Sequence, residues 1–356
     1  MKKRSLTVTS KVKKKLLPTK DPKINKIYRR FKEIISKKIS KKSFSIGVSG
    51  GPDSLCLAYM AKLYQKEFGN SVSVLIIDHK IRKESAYEAL QVKQMLQKKN
   101  IRSKILRWTG SAPKSNIQQK ARKARYSLVS DYCKKNNIEY FVTAHHQDDQ
   151  IENFFIRLLR GSGLTGLSSM SDTYNYSNSL QIIRPFLNFP KNELIYTTKK
   201  FFKKYINDPS NKNEKFLRVR VRKYREDLDR EGLDTKKIIK TINNLLVAKN
   251  ALDFYKNKAL RKHVNFISKN KCIINFSLFK EEADEVIFKS ISDIISLIAV
   301  KDYPPRSFKI VNLIDRAKGR KFKKCTLGGC IFEKKDGYFL ISKEIKGHKL
   351  VAQMRK

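Results

Sequence analysis

Short apolar runs alternate with helical patterns over the first 150 residues of the chain. Strand-like runs lie at 43–48, 72–78, 101–108 and 138–145, and apolar residues at helical spacing predict helices at 54–68, 84–99 and 116–136, preceded by a helix around Ile24 to Ile35. This strict alternation predicts a parallel sheet with helices on both faces. Because ligands of such sheets bind beyond the carboxyl ends of the strands, polar residues that follow these runs are the first candidates for a site.

The second half of the chain has a different pattern. Apolar residues at helical spacing from Leu233 to about residue 265 predict one long basic helix. Residues 271–345 predict a small unit with a strand, two helices and a closing pair of strands around Gly328-Gly329, where a strand follows the glycines and a turn or bulge is expected. We therefore predict an arm with a lead-in helix at 1–42, an α/β domain at 43–225, a helical connector at 226–268 and a small α+β domain at 269–356.

Charge is the outlier of the composition. There are 79 Lys and Arg residues against 32 Asp and Glu, so the net charge is +47 and a polyanionic partner is implied, most simply nucleic acid, with a membrane surface second. No apolar run approaches the roughly 20 residues of a membrane span, so we expect no membrane insertion. The basic residues 1–20 predict an arm that also contacts RNA, with a transit peptide as the alternative.

The five cysteines are scattered and contain no C-x-x-C pair. This usage is typical of a reduced, cytoplasmic chain without a disulfide framework or a zinc or iron–sulfur site.

A glycine-rich segment, Ser49-Gly50-Gly51-Pro52-Asp53-Ser54, lies at the first predicted strand-to-helix junction. Adjacent glycines let several backbone N–H groups converge on one concave surface, and the hydroxyls of Ser49 and Ser54 add donors. The dipole of the following helix also favours an anion, so the segment predicts a phosphate or pyrophosphate site. The alternative is a turn between a buried strand and a helix. The spacing of residues in this segment matches neither of two standard phosphate-binding patterns, G-x-x-x-x-G-K-S/T and G-x-G-x-x-G.

Acidic and histidine residues follow the fourth predicted strand, in His145-His146-Gln147-Asp148-Asp149-Gln150-Ile151-Glu152. Asp149 and Glu152 are three residues apart, so both project from one face of a helix, where they could hold Mg²⁺, a substrate ammonium or a proton in transit. Acidic residues also favour helix N-termini, but two histidines, two aspartates and a glutamate are hard to explain as capping. The zinc-site spacings H-E-x-x-H and C-x-x-C are missing.

Further polar groups are candidates for the site, and one of them, Asp78-His79, shares the predicted rim. Asp78-His79 closes the second strand, and taken alone it would be an ordinary strand end. Arg122 and Arg125 are three apart in a basic helix, where they form either a solvated face or a clamp on nucleotide or RNA phosphates. Arg157 and Arg160 precede a glycine-rich loop at 161–166 and can face phosphate.

In this order the motifs resemble the tRNA(Ile)-lysidine synthase family. The glycine segment resembles the pyrophosphate loop of the N-type ATP pyrophosphatases, and His145–Leu167 resembles the family's H-H-x-D-D-x-x-E run with its R-L-L-R-G-S-G-L-x-G-L ending. Ile183–Leu187, Asp208–Asn211 and Phe216–Arg222 also match, except that Val219 stands where the family often has Asn. The resemblance covers roughly residues 43–345 and is strong to 222.

The resemblance implies a parallel-sheet PP-loop ATP-pyrophosphatase catalytic domain, similar to adenine nucleotide alpha hydrolases, and a tRNA-binding C-terminal domain. It implies that ATP adenylates the C2 oxygen of the wobble cytidine of tRNA(Ile) with a CAU anticodon, and that free L-lysine then attacks C2 and expels AMP to give lysidine. ATP and Mg²⁺ would be the cofactors. The implied ATP contacts are Ser49, Gly50, Gly51, Pro52, Asp53, Ser54, Asp78, His79 and His145; the metal ligands Asp53 and Asp149; the catalytic residues Asp53, Asp149 and Glu152; and the tRNA contacts Arg122, Arg125, Arg157, Arg160, Arg218 and Arg222.

Two alternatives remain at this point. A tRNA thiolase on the same scaffold would need paired or sulfur-carrying cysteines near the loop, whereas Cys56 and Cys133 lie unpaired in predicted helices. The other alternative is a non-catalytic basic RNA-binding protein. The sequence leaves the oligomeric state open, a homodimer included.

Overall fold

The computed structural model describes residues 19–80, 84–110, 117–177, 179–207, 217–300, 304–319 and 322–344. The chain divides into two compact units, 1–243 and 244–356. This division runs through the predicted connector at 226–268. The predicted arm at 1–18, the Asp208–Asn211 motif, Phe216 and the end of the chain from residue 345 lie outside the described residues.

The first unit is an α/β layer structure around one sheet. Its strands are β1 (Phe44–Gly47), β2 (Val72–Asp78), β3 (Ser103–Arg107), β4 (Tyr140–Val142), β5 (Thr173–Ser177) and β6 (Leu180–Ile183), and its helices are α1 (Pro22–Lys38), α2 (Pro52–Phe68), α3 (Ser85–Gln97), α4 (Ile117–Lys135), α5 (Gln147–Leu158), α6 (Leu164–Leu167), α7 (Lys191–Phe202), α8 (Leu217–Arg230) and the first turns of α9 (Thr235–His263). The strand order is β3-β2-β1-β4-β6-β5. The predicted parallel α/β sheet is confirmed, with β5 added as an antiparallel edge strand.

Strand β1 lies at the centre of this sheet. It pairs in parallel with β2 on one side and with β4 on the other, so the chain order of the strands reverses between β1 and β4. Ligands of doubly wound sheets bind at such a reversal, beyond the carboxyl ends of the strands. The glycine segment leaves β1 there, and His145-His146 leaves β4 beside it.

Helix α1 shows how local sequence builds the layers. Asp21 caps it by accepting N–H bonds from Lys23 and Ile24, and Pro22 occupies the first helical position, where a missing N–H costs nothing. Apolar residues at helical spacing, including Ile27 and Phe31, are fully buried in the main core. Each such burial contributes roughly 1.5–3 kcal/mol, which fixes α1 on the unit.

The second unit contains the remainder of α9 and an antiparallel sheet. Its elements are β7 (Val264–Ser268), β8 (Lys271–Asn275), α10 (Leu278–Glu281), α11 (Asp284–Ala299), α12 (Ser307–Lys318), β9 (Lys324–Leu327), β10 (Cys330–Lys335) and β11 (Tyr338–Lys343), and the strand order is β7-β8-β11-β10-β9. Three strands rather than a pair close the unit. Gly328 and Gly329 form the predicted turn between β9 and β10, both with positive φ (+68° and +91°), as a two-residue hairpin requires.

None of the helices within the described ranges combines the length and the apolar composition that crossing a membrane would take.

Candidate active site

The glycine segment forms a tight loop between β1 and α2. Ser49 N–H donates to Ser54 Oγ over 3.1 Å, and Ser54 Oγ donates to the Gly51 carbonyl over 3.0 Å. The Ser54 hydroxyl, predicted to contact ATP, therefore braces the loop itself, while Ser49 is exposed. Because α2 starts at Pro52, the N–H groups of its first turn have no partner inside the helix and are available to an anion.

Gly50 adopts the backbone conformation that the loop requires. Its φ is +85°, and a Cβ there would lie 2.6 Å from Val92 Cγ2. Its carbonyl accepts a hydrogen bond from the Ile206 N–H over 2.9 Å. The loop is therefore in contact with α3, through Val92, and with the segment after α7, through Ile206. Glycine at this position is therefore required by φ and by space alike.

His146 connects the loop with α5. Its Nε2 lies 3.4 Å from Asp53 Oδ2 and 3.5 Å from Asp149 Oδ2. Its backbone N–H also donates to Asp149 Oδ2 over 3.1 Å, so Asp149 closes a capping box at the start of α5. One imidazole thus joins a carboxylate of the glycine loop to a carboxylate that follows β4.

The electrostatics of this group favour charged forms. Burial alone would lower the pKa of His146, but its hydrogen bond to Asp53 and the charge of Asp149 outweigh burial and raise the pKa. For Asp149, burial opposes the negative form, yet the charges of His146 and His145 and the His146 N–H lower the pKa of that carboxyl. The arrangement places one imidazole between two carboxyl groups, and His146 and Asp149 each favour the charged form of the other.

The other two acidic residues of α5 are matched by arginines of α8. Arg222 Nε donates to Glu152 Oε1 over 2.6 Å, and Arg225 Nη1 donates to Asp148 Oδ1 over 2.7 Å. Glu152 is 4% exposed, and its second oxygen, Oε2, is buried without a hydrogen-bond partner. Arg222, a predicted tRNA contact, is therefore the counter-ion of a predicted catalytic residue in this structure.

Asp78 and His79, predicted ATP contacts, lie at the end of β2. Asp78 is buried, and its Oδ1 accepts hydrogen bonds from the Lys80 N–H over 3.0 Å and from the Ser85 hydroxyl over 2.8 Å. Asp78 therefore links the end of β2 to the first residue of α3. His79 Nε2 lies 3.4 Å from Arg125 Nη2. Burial, helped by the charge of Arg125, lowers the pKa of His79 to about 4, so its imidazole is neutral at pH 7.

His145 leaves β4 and hydrogen-bonds through Nδ1 to Thr143 Oγ1 over 2.8 Å. Burial lowers its pKa to about 3, because the attraction of Asp149 is offset by burial and by Arg184, Arg122 and Arg125. The residue is a neutral imidazole beside a group of arginines. Arg122 is exposed and lies over the Tyr126 ring at 5.1 Å.

The remaining predicted arginines divide into two groups. Arg218, at the start of α8, is exposed and is close enough to Asp149 to lower the pKa of that carboxyl. Arg157 and Arg160 are exposed at and beyond the C-terminal end of α5, eight and eleven residues after Asp149. At 1.5 Å per helical residue this puts Arg157 about 12 Å along the helix from the acidic first turn, and the structure does not bring these two residues to the cluster.

Asp53 fits the implied metal. Its Oδ1 is buried and lacks a hydrogen-bond partner, which leaves an anionic oxygen beside the loop. Mg²⁺ in nucleotide sites typically takes one or two carboxylates and completes its shell with phosphate oxygens and water. Within the described residues no group of three or more His, Cys, Asp or Glu side chains is arranged to hold a metal unaided, so this donor set is one that nucleotide phosphates would complete.

Sequence reasoning missed the roles of His146, Asp148 and Arg225. The motif contains His146, but no sequence signal identifies it as the bridge between Asp53 and Asp149. A signal for α8 existed: Arg218, Arg222 and Arg225 recur at helical spacing and complement the charges of Asp148, Asp149 and Glu152.

Comparison with known protein sequences gives three findings. The model of the PP-loop domain matches residues 23–225. A tRNA(Ile)-lysidine synthase of Orientia tsutsugamushi is 34% identical over 309 residues, which are 84% of this chain and 69% of that protein. A tRNA(Ile)-lysidine synthase of Wolbachia pipientis wMel is 35% identical over 303 residues, which are 84% of this chain and 70% of that protein.

Among solved structures, the U34-tRNA thiolase of Methanococcus maripaludis, determined with its 4Fe–4S cluster, superposes with a TM-score of 0.53. It covers 63% of this chain and 78% of the thiolase chain at 17% sequence identity, a level at which the likeness concerns the fold alone.

Proposed function

We propose a specific reaction for this chain, which belongs to the tRNA(Ile)-lysidine synthase family of PP-loop proteins and is accordingly an ATP-dependent ligase that forms lysidine in tRNA. In the proposed reaction the C2 oxygen of the wobble cytidine in the CAU anticodon of tRNA(Ile) attacks the α-phosphate of ATP, so that this oxygen is adenylated and pyrophosphate leaves. The ε-amino group of free L-lysine then attacks C2 and AMP leaves. ATP would be used with Mg²⁺.

The observation that carries the proposal is the meeting of Asp53 and Asp149 on one ring nitrogen of His146, at 3.4 and 3.5 Å. A phosphate-binding loop alone would serve any nucleotide-binding protein. Here α5, which carries Asp149, contacts that loop through His146. Its carboxylates are groups that can act on a second substrate, as a two-step ligation needs.

Each residue then has a physical task. The loop Ser49–Ser54 would hold the leaving pyrophosphate through the first-turn N–H groups of α2. Asp53 would hold Mg²⁺ through its free Oδ1, where the ion would neutralise developing phosphate charge. Asp149 and Glu152 would orient the cytosine or the lysine ammonium, and the free Glu152 Oε2 would accept a donor from either.

The exposed arginines would bind the RNA backbone. The charges of Arg122 and Arg125 act on the pKa of His145, and the charge of Arg218 acts on the pKa of Asp149. Phosphates bound by these arginines would therefore lie near His145 and Asp149. Arg157 and Arg160 would contact tRNA farther along α5.

The cysteines do not favour the thiolase alternative. Cys56 and Cys133 are buried, and burial raises the pKa of both thiols, so neither is a reactive thiolate.

The test is incorporation of labelled lysine into a CAU-anticodon tRNA(Ile) transcript with ATP, followed as acid-stable label in the RNA. A transcript with a GAU anticodon is the matched control and should take up no label. A folded protein that labels neither transcript, or both equally, would contradict the proposed reaction.

A further inference from the structure

One arginine outside the predicted set joins three helices of the first unit. Arg225 of α8 donates from Nη1 to Asp148 Oδ1 over 2.7 Å and from Nη2 to Thr235 Oγ1 over 2.6 Å. Asp148 belongs to the first turn of α5, and Thr235 is the first residue of α9. The two arms of one guanidinium therefore tie the start of α5 to the start of α9.

The apolar contacts between α5 and α9 hold these helices together but do not fix their orientation. Ile151 of α5 is buried against Ile238 and Ile242 of α9. Apolar burial is non-directional, so these contacts hold the helices together without fixing how the first turn of α5 is oriented. A planar guanidinium with two defined donors imposes direction as well as attraction.

The first turn of α5 is where orientation matters. Asp149 follows Asp148 in the chain, and Asp148 Oδ2 lies 4.0 Å from His146 Nδ1. Three carboxylates, those of Asp53, Asp148 and Asp149, thus surround one imidazole. Without Arg225 the Asp148 carboxylate would be an unbalanced charge in this cluster and would repel its two neighbours.

We propose that Arg225 is a positioning residue for the reaction: it holds the first turn of α5 so that Asp149 and Glu152 face the substrate. The proposal rests on the proposed function, in which these two carboxylates act on cytosine or lysine. Arg225 itself touches neither substrate. The rival role, a direct tRNA phosphate contact, is disfavoured because both terminal nitrogens already donate to protein oxygens and the side chain is only 28% exposed.

The experiment compares five full-length proteins: wild type, Arg225→Gln, Asp148→Asn, the double variant and Arg230→Gln. Arg230→Gln is the matched control, since Arg230 belongs to the same helix, pairs with Asp227 and is 75% exposed. For each protein, tRNA-dependent ATP–pyrophosphate exchange gives kcat and the KM for ATP, filter binding gives the Kd for tRNA at two salt concentrations, and lysine incorporation is scored separately.

Arg225→Gln should lower kcat roughly tenfold or more, while the KM for ATP and the Kd for tRNA stay within about twofold. The double variant should have a higher kcat than Arg225→Gln, because replacing Asp148 by Asn removes the unpaired carboxylate and leaves two amides that can hydrogen-bond. Arg230→Gln should match wild type.

Two results would overturn the proposal. One is an Arg225→Gln protein with wild-type kcat. The other is a raised tRNA Kd with a weaker salt dependence that persists in the double variant, which would make Arg225 a phosphate contact. These results differ from those expected if the proposed function itself is wrong, because the wild-type protein would then fail in exchange or in lysine incorporation.

Discussion

Arg222 donates Nε–H to Glu152 Oε1 over 2.6 Å, and the two ends of this ion pair are unequally buried: the arginine side chain is 38% exposed and the glutamate side chain 5%. Loss of the arginine would leave a buried carboxylate unpaired, whereas loss of the carboxylate would leave a cation that water can reach.

This asymmetry gives a stability prediction. Arg222→Gln should destabilise the protein by about 1–3 kcal/mol, and Glu152→Gln by less, because an unpaired buried charge costs more than an unpaired accessible one. Urea unfolding midpoints of the two variants test the order, with Arg230→Gln as the surface control. A larger loss in Glu152→Gln than in Arg222→Gln would mean that the pair is not buried as the structure has it.

Asp53→Asn tests the loop carboxylate. The substitution keeps the shape but removes the charge that would hold Mg²⁺, so ATP–pyrophosphate exchange should fall by ~10²-fold or more while the circular dichroism spectrum is unchanged. Asp227→Asn is the control, since Asp227 is an exposed carboxylate of α8. Wild-type exchange in Asp53→Asn would reduce the loop to a structural turn.

Gly50→Ala combines two strains. Alanine at φ +85° is disfavoured, and its Cβ would lie 2.6 Å from Val92 Cγ2. Gly69→Ala isolates the first strain, because Gly69 has φ +75° with nothing within 4 Å of a Cβ. We expect about 1 kcal/mol of destabilisation for Gly69→Ala and clearly more for Gly50→Ala, with a raised KM for ATP only in the latter. Equal melting temperatures and equal KM values in the two variants would contradict the packing around Gly50.

His79 gives a pH prediction. Burial lowers its pKa to about 4 from 6.5, so between these values the unfolded state binds the proton more tightly than the folded state. The stability contributed by the neutral ring is therefore complete above about pH 6.5 and is lost as the pH falls toward 4. In His79→Asn the loss of unfolding free energy between about pH 7.5 and about pH 4.5 should be smaller by about 2–3 kcal/mol. Parallel pH curves for wild type and variant would show that the ring is not buried.

The salt dependence of tRNA binding tests the second unit. A chain of net charge +47 should lose tRNA affinity steeply with salt, by a log–log slope of about −0.7 to −0.9 per phosphate neutralised. Deletion of residues 244–356 follows the unit boundary and keeps Ile238 and Ile242 packed on Ile151. If the fragment is folded by circular dichroism, its slope should be shallower. An unchanged slope would assign tRNA binding to the first unit alone.

The sequence was most informative where a local pattern determines the structure. Strand β2 has the predicted bounds, Val72–Asp78, because its apolar run is long and ends at a charged residue. The Gly328-Gly329 turn followed from the strand after it. Strands β5 and β6 were not predicted. Thr173–Ser177 is polar and pairs only at the edge of the sheet, and Leu180–Ile183 is only four residues long.

The site was predicted in outline but not in its pairings. Sheet topology indicated that Asp53 and Asp149 would share a rim, but their common contact with His146 depends on how α5 packs against the loop. Of the arginines of α8, the resemblance implied tRNA contacts for Arg218 and Arg222. Only the structure brings Arg222 and Arg225 against carboxylates some 70 residues earlier in the chain. Charge in a sequence does not specify its counter-ion.

The central position of β1 also affects how the protein is made. During synthesis β1 can pair with β2 soon after both leave the ribosome, but its other neighbour, β4, lies far downstream, as the 95-residue separation of Ser45 and Tyr140 shows. Until then the nascent chain carries β1 with an open edge, and such edges recruit other chains. Slow translation between residues 78 and 140 would prolong that exposure, so the yield of soluble protein should depend on codon choice in this interval more than on codon choice after β6.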